Sequence, residues 1–248
     1  MKKSPFNNKN IHLIQSKQSC EHCDIEHLCI SAGMGKHYAY KLNEIAKQSK
    51  AYEKGQVVYN RGDIFKSLYV IQSGVAKSET SNSDGRQQVT GFYFPGDLIG
   101  TDSLTTNKYP SDLVAIEKTY LCEIPFIELE KLCIAFPGLQ HELFMRFGER
   151  IYHNEYHSLL GRGEIAEKRI LSFLVELFEK LEGSKYILGC FIILPMTKYE
   201  ISSYLGLQPE TFSRSMKQLQ NKGYIINTLK HIEILNFSDI IQEVENEF

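Results

Sequence analysis

Between residues 52 and 126 the chain alternates short apolar runs with glycine-bearing turns. The runs are QVVY, SLYVIQSG, VAKSE, QVTGFYF, LIG, LVAIE and TYLCEIPF, punctuated by Gly55, Gly62, Gly74, Gly85, Gly96 and Gly100. Closely spaced β-branched and aromatic runs of this kind predict an all-β sandwich or roll. Gly62-Asp63, Asp84-Gly85 and Gly96-Asp97 supply the residue types that close tight turns. After Pro137 the period becomes helical. Phe144, Phe147, Ile151, Asn154 and Ser158 recur at alternating steps of three and four, as in a coiled-coil seam. The seam suits either a helix packed on its own roll or a dimer helix whose polar end weakens pairing and fixes register. Gly161 and Gly163 predict a hinge. From Glu164 a second amphipathic helix runs through IAEKRILSFLVELFEKLE, and CFIIL at 190–194 reads as a buried strand. Residues 1–50 are mostly polar, with a short helix expected near Tyr40–Ser49. The acidic end, SDIIQEVENEF, reads as a short surface helix, and no internal repeat or low-complexity segment is found.

The segment TKYEISSYLGLQPETFSRSMKQLQNKG, residues 197–223, carries the most specific local pattern. Thr197 followed by Glu200 is a capping box. Ile201 and Leu205 give a first helix its apolar face. Gly206 stands where a helix C-terminus needs positive φ, and Pro209 fits the first position of the next helix. This is the spacing of a helix-turn-helix. In its second helix Phe212, Met216 and Leu219 face inward. Glu210, Ser213, Arg214 and Lys217 fall at i, i+3, i+4 and i+7 and line the outer face. A lone amphipathic helix would use such a face for solvation and a Glu210–Arg214 pair. Here the stripe opens the second helix of the unit, the part that reaches base edges in the major groove. Arg binds guanine O6 and N7, Glu accepts from cytosine N4, and Ser suits either role. Lys198, Arg214, Lys217, Lys222 and Lys230 outnumber Glu200 and Glu210 locally, which suits a phosphate-facing surface. GYIINTLKHIEIL then reads as a two-stranded wing.

A length of 248 residues suits two cores. A net charge of -2 means that any basic surface is local. The N-terminus has lysines with no apolar run behind them, and runs such as FIIL are too short to span a bilayer. A cytoplasmic protein with no membrane partner is expected. No nucleophile–base pairing or phosphate loop stands out, so no enzyme is expected. Three of the six cysteines lie in CEHCDIEHLC, residues 20–29. In a reducing compartment such clustering favours a metal or redox site over disulfides. Cys20, Cys23 and Cys29 leave one ligand position open, with His22, His27, His37, Cys122, Cys133 and Cys190 as candidates. A zinc site accepts three Cys and one His, whereas an iron–sulfur cluster usually takes four Cys. The spacing alone does not separate them.

The order of a β-roll, a long helix and a winged helix resembles the CRP/FNR superfamily of bacterial transcription regulators. The resemblance is carried by KGQVVYNRGDIFKSLYVIQSGVAK, GRQQVTGFYFPGDLIG and YLGLQPETFSR. It implies an α+β fold: a cysteine-cluster segment (1–50), a cyclic-nucleotide-binding-like jelly roll (51–136), a dimerisation helix (137–162) and a winged helix-turn-helix (163–248). The pattern Glu210-x-x-Ser213-Arg214 is similar to the FNR recognition helix. That implies double-stranded DNA as partner and a TTGAT-type half-site, with Glu210 on cytosine, Ser213 near thymine and Arg214 on guanine. It also implies a homodimer through the Phe144, Phe147, Ile151 and Asn154 face, with Asn154 standing where FNR proteins can carry Asp. The roll offers no arginine in residues 96–117, and Asp112 stands near the expected phosphate-binding position, so no cyclic nucleotide is expected. The FNR-type branch implies instead an oxygen-labile [4Fe–4S] cluster on Cys20, Cys23, Cys29 and Cys122, and an RNA polymerase contact from loop 81–88. A zinc-bound or thiol-redox regulator is the alternative.

Overall fold

The computed structural model describes residues 20, 23, 25–34, 39–81, 85, 87–161, 165–181, 187–188, 191–228, 231–235, 237 and 240. His22, Asp24, His37, Gly163, Cys190, Lys230, most of the acidic tail and half of the 81–88 loop therefore lie outside the described residues.

The short apolar runs become two antiparallel sheets. One holds β1 (Lys47–Tyr52), β8 (Thr119–Pro125), β3 (Ser67–Ser73) and β6 (Leu98–Ile99) in that order; the other holds β2 (Val57–Tyr59), β7 (Asp112–Ala115), β4 (Ala76–Ser81) and β5 (Gln87–Tyr93). The turn from β3 to β4 demands glycine at 74. Its φ is 87°, and a Cβ there would sit 2.5 Å from the Lys118 carbonyl oxygen. Between and beside the sheets, Leu68, Ile71, Ile99, Leu113, Leu121 and Ile124 are buried. Each contributes roughly 1.5–3 kcal/mol by leaving water. Tyr59 and Tyr109 stack at 3.7 Å between ring centroids, and the Tyr109 hydroxyl donates to the Ser67 carbonyl at 2.7 Å.

The helix expected near Tyr40–Ser49 is α1 (Ala39–Ile45), and the chain then turns into β1. KQSKAY has no apolar alternation because β1 is an edge strand, paired with β8 alone. An edge strand with charged positions also resists pairing with other chains. Two helices follow the roll, α2 (Phe126–Ala135) and the long α3 (Pro137–Gly161). Leu139 and Leu143 of α3 enter the roll core together with Ile30 and Met34 of the N-terminal segment.

The C-terminal part contains α4 (Ala166–Leu181), β9 (Ile187–Leu188), β10 (Phe191–Ile193), α5 (Lys198–Tyr204), α6 (Pro209–Asn221), β11 (Ile225–Asn227) and β12 (His231–Ile234). Its sheet runs β11-β12-β10-β9, with β11 and β12 forming the wing. Its core does not stop at its own residues. Val75, Val89, Phe92, Phe94 and Ile116 of the roll are buried in one cluster with Ile170, Phe173, Ile201 and Phe212. Phe92 meets Tyr204 edge-on at 5.2 Å, and the Val89 N–H donates to the Ser203 hydroxyl at 3.1 Å.

Beside this shared core lies a charged triad. Lys77 Nζ is 2.9 Å from Glu200 Oε1 and 2.7 Å from Glu79 Oε2. The Glu79 contact is an ion pair without hydrogen-bond alignment, since Glu79 Oε2 is buried with no hydrogen-bond partner. Burial alone would lower the Lys77 ammonium pKa, but the two carboxylates outweigh it and hold it above its usual value. The Lys77 and Glu79 side chains are 14% and 9% exposed, so water screens them little. Lys77→Ala leaves the buried Glu79 and half-buried Glu200 carboxylates without their cation. We expect it to lower unfolding free energy by on the order of 3 kcal/mol, read as an earlier urea midpoint. A loss under about 0.5 kcal/mol would mean the triad behaves as a screened surface pair.

Candidate metal centre and nucleic-acid interface

The cysteine segment is held down by the apolar residues between and after its thiols. Ile25, Ile30 and Met34 are buried in the roll core. Short 3-10 turns, Glu26–Leu28 and Ile30–Met34, fold the chain tightly around them. The Leu28 and Cys29 N–H groups both donate to the Ile25 carbonyl, at 2.9 and 3.0 Å. Cys122 reaches the same place from β8, where it pairs in register with Val70 of β3. Cys20, Cys23, Cys29 and Cys122 all pack against that one core, and all are free thiols.

The thiols sense one another. Burial chiefly, and then the charges of Cys29, Cys20 and Cys23, push the Cys122 thiol up to about 12. Burial also raises Cys29, against the opposing pull of the Ser31 and Ile30 N–H groups and the Ser31 hydroxyl. Gln72 of β3 adds a further donor: its Nε2 lies 3.9 Å from Cys23 Sγ, while its Oε1 is buried without a partner. Nothing in QSG at the end of a strand signals that role in the sequence. Of the other fourth-ligand candidates, His27 is exposed, and Cys133 is buried on α2, where its charged neighbour is Glu130.

Four thiols in an apolar seat with N–H donors around them suit an iron–sulfur cluster or a thiolate-bound metal. Among the described residues, however, no three His, Cys, Asp or Glu side chains are drawn together as one metal ion needs. Electrostatic coupling acts over several ångströms, while a zinc–thiolate bond is about 2.3 Å.

The helix-turn-helix forms as its residues dictate. Thr197 caps α5: its hydroxyl accepts from the Glu200 N–H at 3.2 Å, and Glu200 Oε2 accepts from the Thr197 N–H at 2.7 Å. Gly206 has φ 65°, and Pro209 opens α6. Phe212, Met216 and Leu219 are buried, and Glu210, Ser213, Arg214 and Lys217 are all exposed along the opposite face. Burial would raise the Glu200 carboxyl, but the Thr197 N–H and hydroxyl and Lys77 hold it below its usual range. Lys77 of the roll thus neutralises one of the two acids that would oppose a phosphate-facing surface.

On α3, Phe144 and Ile151 are 61% and 57% exposed, as are neighbouring Met145 and Tyr152, and Asn154 is exposed beside them. Phe147 differs: it is half-buried against the roll core. Arg150 turns to the roll as well, donating to the Tyr93 hydroxyl at 2.8 Å with its guanidinium 4.9 Å from the ring centroid. Asp112 accepts the Arg61 backbone N–H at 2.6 Å.

A raised thiol pKa has a measurable consequence. The folded chain holds Cys122 protonated, so its contribution to stability is intact below the ordinary thiol value of 9.0 and fades as pH rises towards about 12. At pH 8, in reduced cluster-free protein, Cys122 should alkylate at least ~100-fold more slowly than an exposed thiol. Alkylation at the exposed-thiol rate would contradict this seat.

Residues 49–135 match the cyclic nucleotide-binding domain, and residues 168–241 match the Crp-like helix-turn-helix domain. The chain is 35% identical to the fumarate nitrate reduction regulatory protein of Klebsiella oxytoca over 225 residues, covering 91% of this chain and 89% of that protein. It is 34% identical to the fumarate and nitrate reduction regulatory protein of Escherichia coli K12 over 223 residues, covering 90% and 89%. Among solved structures, FixK2 from Bradyrhizobium japonicum aligns with a TM-score of 0.71 and 27% identity over 80% of this chain and 96% of that one. With a β-roll, a long helix and a capped helix-turn-helix in hand, these likenesses agree: the chain belongs to the CRP/FNR family of transcription regulators, on the branch of the fumarate and nitrate reduction regulatory proteins.

Proposed function

We propose that this chain is an oxygen- or redox-responsive transcription regulator that binds DNA as a homodimer under anoxia. In this reading Cys20, Cys23, Cys29 and Cys122 hold a [4Fe–4S] cluster. What supports it is that those four thiols, three from the N-terminal segment and one from β8, pack against a single apolar core, and that the charges of the first three bear on Cys122. When bound, the cluster supplies an oxygen-labile cross-link between the segment and the roll.

The chain's own residues do the rest. Ile30, next to Cys29, packs with Leu139 and Leu143 at the start of α3, so the seat and the long helix share a core. Tightening the segment steadies that helix, and the exposed Phe144, Ile151 and Asn154 face pairs with a second copy. A change of only a few kcal/mol in a marginal pairing equilibrium is enough for a switch. Pairing sets two α6 helices at the spacing of successive major grooves. Glu210, Ser213 and Arg214 then read a TTGAT-type half-site, and Lys217 sits by phosphate. One relative's name, anaerobic regulatory protein, points to anaerobic regulation, and Asp112, near the expected phosphate-binding position, accepts the Arg61 N–H. Contact with RNA polymerase through loop 81–88 and a cytoplasmic location are part of the same proposal. Among the described residues no helix is long and apolar enough to cross a membrane.

DNA binding by anaerobically purified protein, before and after exposure to air, tests the reading. Specific affinity for a TTGAT palindrome should fall at least about tenfold in air as the dimer fraction falls, an amount a coupling of ~1.4 kcal/mol supplies. Unchanged affinity would sink it. Arg214→Ala should cost about 1–3 kcal/mol on the specific site and relax discrimination at one base pair. Equal losses on specific and random DNA would instead make Arg214 a phosphate contact.

A further inference from the structure

Cys29 has two apolar neighbours in sequence, and they lead to different places. Ile30 goes to the core under α3. Leu28 goes to the turn Pro95-Gly96-Asp97 that links β5 to β6. Gly96 has φ 93°, and a Cβ placed on it would lie 2.6 Å from Leu28 Cβ and 2.9 Å from the Leu28 carbonyl oxygen. The backbone of the turn thus lies directly against the cysteine segment, closer than any side chain would allow.

The same turn is tied to the cysteine seat a second way. The strand that follows it, β6, pairs with β3 through Leu98 and Val70, and Val70 pairs on its other side with Cys122. One strand therefore separates the turn from the fourth thiol. The Gly96 N–H donates to the Ile71 carbonyl at 2.9 Å, which fixes the turn to that strand.

On its far side the turn grips the DNA-reading unit. Asp97 Oδ2 accepts the Phe94 N–H at 2.7 Å, which closes the turn, and lies 2.8 Å from Lys180 Nζ on α4. Lys180 also sits 5.5 Å from the centroid of the Phe94 ring, and Phe94 is buried in the core shared with α4 and α5. Leu28, Asp97 and Lys180 all line one cleft of about 480 Å³, with Tyr204 of α5 in its wall.

We propose that the Pro95–Asp97 turn is a joint through which the cysteine segment positions the DNA-reading unit, by a route that does not pass through pairing of α3. Asp97 and Lys180 are its positioning residues. The inference rests on reading the cysteines as the sensor, but the joint itself can be measured without that reading.

Energetic coupling is reciprocal, so loosening the far end must be felt at the near end. Alkylation of Cys29 is followed by mass spectrometry in the full reduced chain, in air-free chelating buffer at pH 8. Lys180→Met should speed Cys29 alkylation at least threefold. Lys222→Met, which breaks the ion pair with Glu167 elsewhere on the same unit, should leave it within about 1.5-fold of the unaltered chain. Gly96→Ala should speed it as well. Gly62→Ala, with a similar φ of 89° but nothing near its Cβ, should not. Cys29 reactivity unmoved by Lys180→Met, or moved equally by Lys222→Met, overturns the joint. Anaerobic protein without iron, alongside the expected alkylation pattern, would remove the sensor reading and leave the joint standing.

Discussion

One face of the roll is buried only because the DNA-reading unit covers it. Val75, Val89, Phe92, Phe94 and Ile116 would meet water if α4 and α5 were removed. At roughly 25 cal/mol per Å² of apolar surface, exposing that face is costly, and this holds the unit in a defined place. The hydrogen bond from Val89 to Ser203 and the Lys77–Glu200 ion pair then fix its orientation. The outer face of α6 is left outside this contact, with Glu210, Ser213, Arg214 and Lys217 all in solvent. The exposed stripe and the contact with the roll therefore lie on different sides of the same two-helix unit.

The cysteine segment depends on the other core in a comparable way. Ile25, Ile30 and Met34 are what seat a short, otherwise polar stretch on the roll. Burial also makes Cys29 of the segment and Cys122 of β8 reluctant to ionise. Any thiolate ligation must therefore expel protons, and its strength must rise with pH until the thiols are ionised. Ser31, Ile30 and Gln72 lend N–H or O–H groups that favour charged sulfur, so the seat is prepared for thiolate without holding it by itself.

Elements built from local pattern were legible in the sequence. The apolar runs of the roll appear as β2 to β8, and the Thr197–Glu200 box, Gly206 and Pro209 perform the local roles their residue types imply. The outward stripe on α6 follows from helical spacing alone. The polar edge strand β1 was not legible, because an edge needs no alternation. Phe147 belongs by spacing with Phe144 and Ile151, yet it turns to the roll core, since a helix lying on its own domain spends part of its apolar face there. Gln72 beside Cys23, Lys77 beside Glu200 and Arg150 beside Tyr93 join residues far apart in the chain. No spacing rule reaches such pairs, and the association of Cys122 with the N-terminal thiols entered through family resemblance for the same reason.

In the proposed function these four thiols form one cluster seat. Iron and acid-labile sulfide per chain, measured on anaerobically purified protein together with visible absorption, address it most directly. About four iron and about four sulfide are expected, with absorption at roughly 400 nm that bleaches in air, and loss of all three in Cys122→Ala. A colourless protein with zinc and no sulfide, or a Cys122→Ala variant that keeps the full complement, would contradict it.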